Sequence, residues 1–388
     1  MSKTPVGIGI IGCGLMGREI ASAILRYAHL LDTHAQPELR AVCDVNLDHT
    51  EWFRQNIASV GQVTDDYRDL LANSEVDAIY CAVPHHLHAV LYPDIIRAGK
   101  ALLGEKPFGI DDAANRAILA AAAERPDVLV RVSSEFPYFP GAMRLAERVR
   151  SGQLGRLIEA EAGFWHSSDL DPSKPINWKR QVATNGEYGC MGDLGLHVVH
   201  LPLRLGMRLE TVYAQLSNII RQRPDAKGEM VACDTWDNAQ LSVRARLGED
   251  VFPVQFSTKR IAPGHGNTWF IRVTGTEGAV AFSTRNPKAL HTMVYRPGAA
   301  QTWQREDLAY RSAYPAITGA IFEFGFSDAL LQMVAAFVEE YAGHDPGFWR
   351  CVTPQEARAS HVLFTGALAS QQSGHAIVLD HEEGMLHA

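Results

Sequence analysis

A stretch near the amino terminus, Val6–Gly17, constrains the fold of this chain more than any other. Its first half is an apolar strand, which leads directly into the pattern Gly12-x-Gly14-x-x-Gly17 at the start of a helix-forming segment. In that order Gly12 permits a tight turn, Gly14 lets a pyrophosphate approach the backbone, and Gly17 lets the helix pack closely on the strand. The stretch predicts a dinucleotide-binding turn, and the alternative is a glycine-rich turn without a ligand.

Two neighbouring features indicate which cofactor such a turn would hold. The first N–H groups of the helix, at Leu15 and Met16, are free to bind phosphate. The next predicted strand, Leu39–Cys43, ends at Asp44, whose carboxylate can accept hydrogen bonds from a ribose diol. Because a carboxylate there would repel a 2′-phosphate and no arginine follows directly, the sequence favours NAD over NADP.

The composition is typical of a globular enzyme. The 388 residues suffice for two domains, and the formal net charge of −8 comes without a block of basic residues. No apolar run reaches the length of a membrane span, and the first strand begins too early to follow a signal peptide. The six cysteines form no CxxC pair, and several fall in apolar strand patterns. We therefore expect a cytoplasmic protein with reduced, buried thiols that binds neither nucleic acid nor membrane.

The first third of the chain alternates strands with helices, which is typical of a doubly wound parallel sheet. In such a sheet, ligands bind beyond the carboxyl ends of the strands. Pro84 and the segment Glu105–Pro107 each follow a predicted strand, so both should line one crevice. After Asp44 the predicted strands are 62–63, 76–83, 101–103 and 128–132, and the predicted helices are 47–59, 65–73, 87–98 and 111–124.

From about residue 155 the pattern changes to long strands joined by turns. We therefore predict an α/β chain with a Rossmann domain at 1–135 and an α+β domain at 136–388. The second domain should contain a large, mostly antiparallel open sheet with helices on one face. Its free face, expected to be apolar and aromatic, should pair with another subunit in a homodimer or homotetramer. The predicted strands are 156–165, 211–220, 238–246, 251–259, 270–274, 279–283 and 291–296, and the predicted helices are 190–205, 326–343 and 355–372.

A lysine and a histidine are the candidates for proton transfer. Lys106 follows the fifth strand, where its ammonium could bind a substrate hydroxyl and stabilise an alkoxide; the alternative is a surface lysine in a turn. On a predicted helix, Asp193 and His197 lie one turn apart with His200 beside them. A carboxylate next to an imidazole raises its basicity, which suits a general base. The alternative is a structural helix with a capping aspartate and a buried histidine.

Two histidine patterns also raise the question of a metal. The carboxylate and two imidazoles of that helix resemble a two-histidine, one-carboxylate site. Nicotinamide is itself an electron sink, however, so the chemistry requires no metal. His85, His86 and His88 are adjacent at a helix start and cannot all face one ion. We therefore expect no metal, and we expect Pro84, His85 and His88 to contact the nicotinamide ribose.

The loop before the Asp193 helix, Asn177–Arg180, is a candidate substrate contact. Trp178 could stack on a sugar ring or on the nicotinamide. The adjacent Lys179 and Arg180 could bind a carboxylate, sulfonate or phosphate group. A solvated basic loop is the alternative.

As an ordered set, these motifs resemble those of the Gfo/Idh/MocA family, the group of glucose–fructose oxidoreductase and inositol dehydrogenase. The resemblance implies a Rossmann domain, a carboxy-terminal domain whose open sheet mediates dimers or tetramers, and NAD(P)-linked redox chemistry at a ring hydroxyl of a sugar or cyclitol. The matching elements are Gly12-x-Gly14-x-x-Gly17, Asp44, Pro84-x-x-x-His88, Glu105-Lys106-Pro107 and Gly192-Asp193-x-Gly195-x-His197.

The resemblance also implies roles for individual residues. By position, Lys106 and His197 would bind the hydroxyl and handle its proton, and Asp193 would be their partner. Glu105 and His88 would lie near the nicotinamide ribose.

Three further points follow from the same resemblance. The bond between Lys106 and Pro107 is one that the family often holds cis. His200 stands where the family often has an acid, and the region 178–180 is more basic than in many members. Both departures lie on the substrate side.

Three functions stay open at this point. The first is NAD-dependent oxidation or reduction of a ring hydroxyl of a sugar, sugar derivative or cyclitol. The second is redox-neutral glycoside hydrolysis, in which transient oxidation at C3 acidifies the C2 proton and permits elimination; an anionic glycoside such as a uronide or a sulfoquinovoside would suit the basic loop. The third is a non-catalytic NAD-sensing regulator, against which the retention of Lys106, Asp193 and His197 argues.

Overall fold

The computed structural model describes residues 3–380, which divide into two compact units. Among the described residues, the first unit comprises 3–109, 113–138 and 311–354, and the second comprises 110–112, 139–310 and 355–380. The sequence predicts one boundary after residue 135, whereas these units are not contiguous: 311–354 fold with the first unit, which chain order alone does not reveal. Within the described part of the chain, no helix is both long and apolar enough to cross a membrane.

The helices and strands follow the predicted order. The helices are α1 (Leu15–Leu25), α2 (Glu51–Asn56), α3 (Tyr67–Ala72), α4 (His88–Arg97), α5 (Asp112–Glu124), α6 (Pro140–Arg150), α7 (Val182–Asn185), α8 (Cys190–Arg204), α9 (Phe326–Tyr341) and α10 (Pro354–Ser373). The strands of the first unit are β1 (Thr4–Ile11), β2 (Ala35–Cys43), β3 (Gln62–Thr64), β4 (Ala78–Cys81), β5 (Ala101–Gly104) and β6 (Val130–Val132). The strands of the second unit are β7 (Leu157–Trp165), β8 (Arg208–Ser217), β9 (Gln222–Pro224), β10 (Met230–Ala232), β11 (Asn238–Leu247), β12 (Asp250–Lys259), β13 (Thr268–Gly275), β14 (Gly278–Ser283), β15 (Ala289–Val294), β16 (Gln304–Asp307) and β17 (Ile377–Val378).

The first unit is built on a six-stranded parallel sheet in the order β3-β2-β1-β4-β5-β6. Its central strands are short, continuous apolar runs; all four residues of β4 are buried, as expected for a sheet covered on both faces. The order reverses between β1 and β4, and a crevice for ligands opens at such a switch point. The predicted doubly wound sheet is confirmed. The helix predicted at 47–59 is shorter than expected, because a 3-10 turn precedes α2.

A buried carboxylate ties the returning segment 311–354 to this sheet. Glu339 of α9 accepts hydrogen bonds at Oε1 from the backbone N–H groups of His34 (2.8 Å) and Ala35 (2.8 Å), at the start of β2. Its Oε2 lies 2.9 Å from Nδ1 of His34, and the hydroxyl of Tyr27 donates to Oε1 at 3.3 Å. These bonds lower the pKa of Glu339 although burial alone would raise it. One side chain therefore satisfies the backbone at the beginning of the second strand.

The second unit contains a nine-stranded sheet in the order β16-β15-β14-β13-β7-β12-β11-β8-β17. All its pairings are antiparallel except that of β7 with β12. Residues alternate between buried and exposed along β11, and helices α6 and α8 pack on the sheet. Helix α6 follows the boundary between the units and is not among the predicted elements. The mostly antiparallel sheet is confirmed.

The free face of this sheet is more polar than predicted on two of its strands. There β11 and β12 expose Gln240, Ser242, Arg244 and Gln255, with Val251 among them. A polar face is stable in water without a partner. Solubility alone therefore does not require this face to pair with another subunit.

We expect replacement of Glu339 by alanine to lower the free energy of unfolding by about 2–4 kcal/mol, because two buried backbone N–H groups lose their acceptor. Urea unfolding followed by circular dichroism measures the change. The matched control is Glu38→Ala, which removes a partly exposed ion pair with Arg40; we expect it to change the unfolding free energy by less than about 0.5 kcal/mol. Equal effects of the two substitutions would contradict the bracing role of Glu339.

Candidate active site

The glycine turn has the three properties that a dinucleotide requires. Gly12 adopts φ of +95°, and a Cβ there would lie 2.4 Å from the carbonyl oxygen of Ala82. A Cβ at Gly17 would lie 2.2 Å from the carbonyl oxygen of Gly12, so helix and turn are in direct backbone contact. At Gly14, by contrast, a Cβ would meet no atom of the described residues within 4 Å. The turn is therefore closed on the protein side and open where a pyrophosphate would approach.

The amino terminus of α1 faces this open space. Gly14 is the N-cap residue and offers no side chain to cap the helix. Leu15 and Met16 supply the first helical N–H groups, which have no acceptor within the helix itself. Leu15 is exposed and Met16 is half-buried. Binding of a phosphate by these two N–H groups stays a prediction that the geometry supports.

Asp44 stands directly after β2 and is oriented by the backbone. Its Oδ2 accepts a hydrogen bond from the N–H of Cys13 (2.8 Å), inside the glycine turn. Its Oδ1 accepts a second from the N–H of Asn46 (2.9 Å) and lies 3.3 Å from Nδ1 of His49. Oδ2 keeps a lone pair beyond its one bond, so the carboxylate can still accept from a ribose hydroxyl.

The loop after β4 places Pro84 and the histidines at the same edge of the sheet. His88 is fully buried: its Nε2 donates to the carbonyl of Val83 (3.1 Å), and its Nδ1 accepts from the N–H of Gly109 (3.3 Å). Both ring nitrogens are therefore in use, which fixes a neutral ring. His88 thus joins the loop after β4 to the loop after β5. His85 is also buried, and contact of His85 or Pro84 with the cofactor stays a prediction.

The motif Glu105-Lys106-Pro107 follows β5, and the bond between Lys106 and Pro107 is cis. Glu105 is buried, and its Oε1 accepts a hydrogen bond from the hydroxyl of Tyr80 (2.7 Å). The hydroxyl of Tyr92 donates to the backbone carbonyl of Glu105 (2.9 Å). Two tyrosines therefore hold the residue next to Lys106, whose side chain is half-buried. Glu105 therefore stabilises this loop from its buried side.

A second buried acid near Lys106, Glu135, is not among the residues predicted from the sequence. It lies three residues after the end of β6, the strand next to β5 in the sheet. Burial and the nearby charge of Glu105 raise the pKa of Glu135 to about 8, although the Lys106 ammonium opposes the shift. At neutral pH, Glu135 is therefore protonated although the Lys106 ammonium lies near it. The signal available in the sequence is an acid just past a predicted strand end.

In the second unit, Asp193 lies in the first turn of α8 and is buried, with 1% of its side chain exposed. Nζ of Lys179 lies 2.9 Å from its Oδ1, and Nη1 of Arg260 donates to its Oδ2. Both oxygens of Asp193 are thus paired with cations, and the partnership of Asp193 with His197 stays a prediction. Arg260 is not among the predicted residues, because it lies 67 positions away in the chain.

His197 lies one turn after Asp193 on α8, as predicted. Its backbone carbonyl accepts a hydrogen bond from the indole of Trp269 (2.8 Å), and its ring packs edge-on against Phe164 at 5.7 Å. Trp178 is half-buried in a 3-10 turn, with the Lys179 ammonium 5.5 Å from its ring centre. A role for His197 in proton transfer and for Trp178 in stacking stays a prediction.

Two predicted substrate contacts need correction. Arg180 is fully buried and paired with Asp237, so its guanidinium is not presented to an anionic substituent. His200 is also buried, and neither ring nitrogen has a hydrogen-bond partner among residues 3–380. Burial lowers its pKa to about 3, so it is neutral at neutral pH. A basic residue type in a loop does not by itself indicate that the side chain faces the ligand.

Comparison with protein families agrees with the fold and the glycine turn. Residues 6–134 match the family model described as "Oxidoreductase family, NAD-binding Rossmann fold", and residues 142–281 match the model described as "GFO/IDH/MocA C-terminal domain". Together the two models cover more than two thirds of the 388 residues. The predicted NAD cofactor and the family resemblance are confirmed.

Individual relatives extend the comparison. Levoglucosan dehydrogenase from Pseudarthrobacter phenanthrenivorans is 24% identical over 292 residues, which is 72% of this chain and 73% of that protein. Inositol 2-dehydrogenase from Rubrobacter xylanophilus is 27% identical over 175 residues, which is 45% of this chain and 47% of that protein. The solved structure of levoglucosan dehydrogenase in complex with NADH and L-sorbose matches with a TM-score of 0.85 at 20% identity, covering 97% of this chain and 100% of that one. This likeness confirms the fold.

The raised pKa of Glu135 predicts a pH-dependent stability. The carboxyl group is protonated in the folded state up to about pH 8, whereas its ordinary pKa is 4.5. Between these values the folded state binds more protons than the unfolded state, so the free energy of unfolding falls as the pH rises. Glu135→Gln cannot ionise and should lose this dependence, which amounts to about 1.4 kcal/mol for each pH unit between the two pKa values. Urea unfolding at pH 5, 6.5 and 8 measures it.

The control for that experiment is Glu75→Gln, which changes an exposed glutamate of the same unit. It should keep the pH dependence of the parent protein. A Glu135→Gln protein whose unfolding free energy fell with pH as steeply as the parent's would contradict a buried, protonated Glu135.

Proposed function

This chain belongs to the Gfo/Idh/MocA oxidoreductase family, and on that premise we propose that it oxidises, or in reverse reduces, a ring hydroxyl of a sugar, sugar derivative or cyclitol with NAD. The observation that carries the proposal is the position of Lys106. It lies two residues after β5, at the same sheet edge as the open glycine turn and Asp44. An ammonium at that edge can reach the part of a bound dinucleotide that lies beyond the strand ends.

The residues present fit NAD. The glycine turn and the amino terminus of α1 would hold the pyrophosphate, and Asp44 would accept from the adenosine ribose. The loops that begin at Pro84 and at Glu105 would border the nicotinamide ribose. When bound, NAD supplies the hydride acceptor, so the protein itself has only to bind the substrate and move its proton.

Lys106 and His197 carry out these two tasks, binding of the hydroxyl and transfer of its proton. The Lys106 ammonium binds the reacting hydroxyl oxygen and stabilises the negative charge that develops on it. Glu135, which is protonated at neutral pH, adds no negative charge next to this ammonium. His197 accepts the hydroxyl proton as general base. Lys179, paired with Asp193, contacts a second oxygen of the substrate.

The names of two relatives support the substrate class. Levoglucosan is a sugar derivative and inositol a cyclitol, and both enzymes are named as dehydrogenases. Redox-neutral glycoside hydrolysis is the runner-up. The basic residues of the loop 178–180 favour hydrolysis of an anionic glycoside. Because Arg180 is buried, however, Lys179 is the one basic side chain of this loop that remains to bind the anionic group. We therefore favour net dehydrogenation. A non-catalytic regulator would not require a lysine such as Lys106 near the buried acids Glu105 and Glu135.

A single assay separates the two reactions. The protein is incubated with NAD and a panel of sugars, cyclitols and aryl glycosides, uronides and sulfoquinovosides included. Absorbance at the NADH band and release of the aglycone are recorded together. Net dehydrogenation predicts NADH in proportion to the oxidised product. Release of the aglycone without net NADH would instead establish the glycosidase.

We expect Lys106→Ala to lower kcat/KM by at least about 100-fold, because the ammonium stabilises charge that develops only during the reaction. The affinity for NAD, measured by titration of NADH fluorescence, should change by less than about threefold, since binding energy resides in the glycine turn. Lys227→Ala, in an exposed loop of the second unit, serves as the control and should leave both values unchanged. Full activity of the Lys106 variant would refute the assignment.

We also propose that the chain assembles as a homodimer or homotetramer through the large sheet. The polar free face makes this an interface rich in hydrogen bonds rather than an apolar one. Tyr213 and Val251 are exposed apolar side chains on this face. Light scattering of the parent protein and of a Val251→Arg variant tests the proposal; a parent that is monomeric at micromolar concentration would contradict it.

A further inference from the structure

The Asp193 carboxylate is clamped between cations from two separate segments of the second unit. Lys179 precedes α8 in the loop, and Arg260 follows directly after β12. Nζ of Lys179 lies 2.9 Å from Oδ1, and Nη1 of Arg260 donates to Oδ2. The cations therefore occupy opposite oxygens. A carboxylate held at both oxygens has one orientation, whatever its intrinsic rotamer preference.

Arg260 is itself fixed by a second carboxylate. Its Nε donates to Oδ2 of Asp169 at 2.7 Å, and Arg260 is buried. Nε of Arg180 lies 3.9 Å from the same Oδ2, and Nη2 of Arg180 pairs with Asp237. The guanidinium of Arg260 thus bridges two buried carboxylates with different nitrogens, as its planar fork allows.

The ion pairs of this network join equal numbers of cations and carboxylates, and the buried Arg223 lies near Asp169 as a further cation. Lys179, Arg260 and Arg180 supply three cations, and the three partners are carboxylates. Burial alone would lower the pKa of Arg260, but the carboxylates of Asp193 and Asp169 outweigh it and raise the pKa. Likewise, burial would raise the pKa of Asp169, but Arg260 and then Arg180 lower it. Arg260 and Asp169 therefore each favour the charged form of the other.

Exposure distinguishes one member of the network. The side chain of Lys179 is 33% exposed, whereas those of Asp193 and Arg260 are 1% and 8% exposed. A ligand that approaches this network therefore meets the Lys179 ammonium first. The ammonium is already held at one point by Asp193, so it is ordered before the ligand arrives. Preorganised donors of this kind lose little entropy on binding.

From this geometry we propose that Arg260 is a positioning residue: by bridging Asp169 to Asp193 it holds Asp193 ionised in one orientation, and Asp193 in turn fixes the Lys179 ammonium toward the substrate. The inference rests on the proposed oxidoreductase function. It also assigns Asp193 a different task from the one that the sequence suggested, since Asp193 orients Lys179 in addition to any effect on His197.

The groups that face Asp193 decide what happens when Arg260 is removed. Lys179 and Arg260 face it from two segments, Cys190 and His197 lie within one turn of it on α8, and Asp169 lies behind Arg260. Removal of Arg260 leaves the buried Asp193 with one cation instead of two. The protonated, neutral form of Asp193 is then populated more readily, because desolvation opposes the charged form of a buried carboxyl.

The test compares Arg260→Gln with Asp169→Asn. Each removes one partner of the same buried ion pair. In Arg260→Gln, kcat/KM should acquire a new acid limb, falling at least about tenfold between pH 8 and pH 6, since one added ionisation gives a tenfold change for each pH unit below its pKa. In Asp169→Asn, Arg260 still pairs with Asp193, so no new acid limb should appear. The affinity for NAD should be unchanged in both variants. In Arg260→Lys, the fall of kcat/KM between pH 8 and pH 6 should be smaller than in Arg260→Gln.

A merely structural role predicts a different outcome. Both variants would then lower kcat with an unchanged pH profile, or both would acquire the same acid limb, and either result overturns the proposal. If Arg260→Gln does not fold, the comparison of Arg260→Lys with Asp169→Asn decides in the same way: a limb in the former alone supports the proposal, and its absence refutes it.

A second measurement separates failure of this inference from failure of the proposed function. The pH dependence of the urea midpoint is recorded for Arg260→Gln and for the double variant Arg260→Gln/Asp193→Asn. A midpoint shift between pH 8 and pH 6 that disappears in the double variant supports the inference without any turnover. A parent protein without NAD-dependent activity would refute the function alone, and a shift that persists in the double variant would refute the positioning role alone.

Discussion

The carboxylate of Asp44 accepts a hydrogen bond from the backbone of Cys13, and this contact joins the glycine turn to the second strand of the parallel sheet. The turn can open toward a dinucleotide only because Gly12 adopts a positive φ and Gly17 touches it through bare backbone. The hydrogen bond to Asp44 then fixes the position of the glycine turn relative to the end of β2. The parts of the cofactor site at this edge depend on that connection, since the loops after β4 and β5 are placed by the same sheet.

Each unit presents a lysine that is backed by buried acid groups. In the first unit, Lys106 stands beside Glu105 and Glu135, of which Glu135 is protonated at neutral pH. In the second, Lys179 is bound to Asp193, whose other oxygen is held by Arg260. An ammonium with fewer negative charges near it attracts a substrate oxygen more strongly. The two units thus reach a similar electrostatic result with different residues.

Much of this organisation could be predicted from the sequence, because strand and helix periods and glycine patterns are local. The doubly wound parallel sheet and the position of Lys106 after β5 follow from such patterns. Side-chain partners are not local. Arg180 sits in a loop that reads as basic and solvated, yet it pairs with Asp237 in the interior. Arg260 meets Asp193 across 67 positions, and 311–354 returns to the first unit after the whole second sheet. Such contacts are set by tertiary packing, which no single segment encodes.

The most direct measurement is a paired titration of the parent protein with NADH and with NADPH, followed by nicotinamide fluorescence or calorimetry. Because the carboxylate of Asp44 would repel a 2′-phosphate, we expect one NADH per chain and an affinity at least about tenfold higher than that for NADPH, a difference of about 1.4 kcal/mol. Equal or tighter binding of NADPH, or no saturable binding of either nucleotide, would contradict the role of Asp44 and with it the placement of the cofactor.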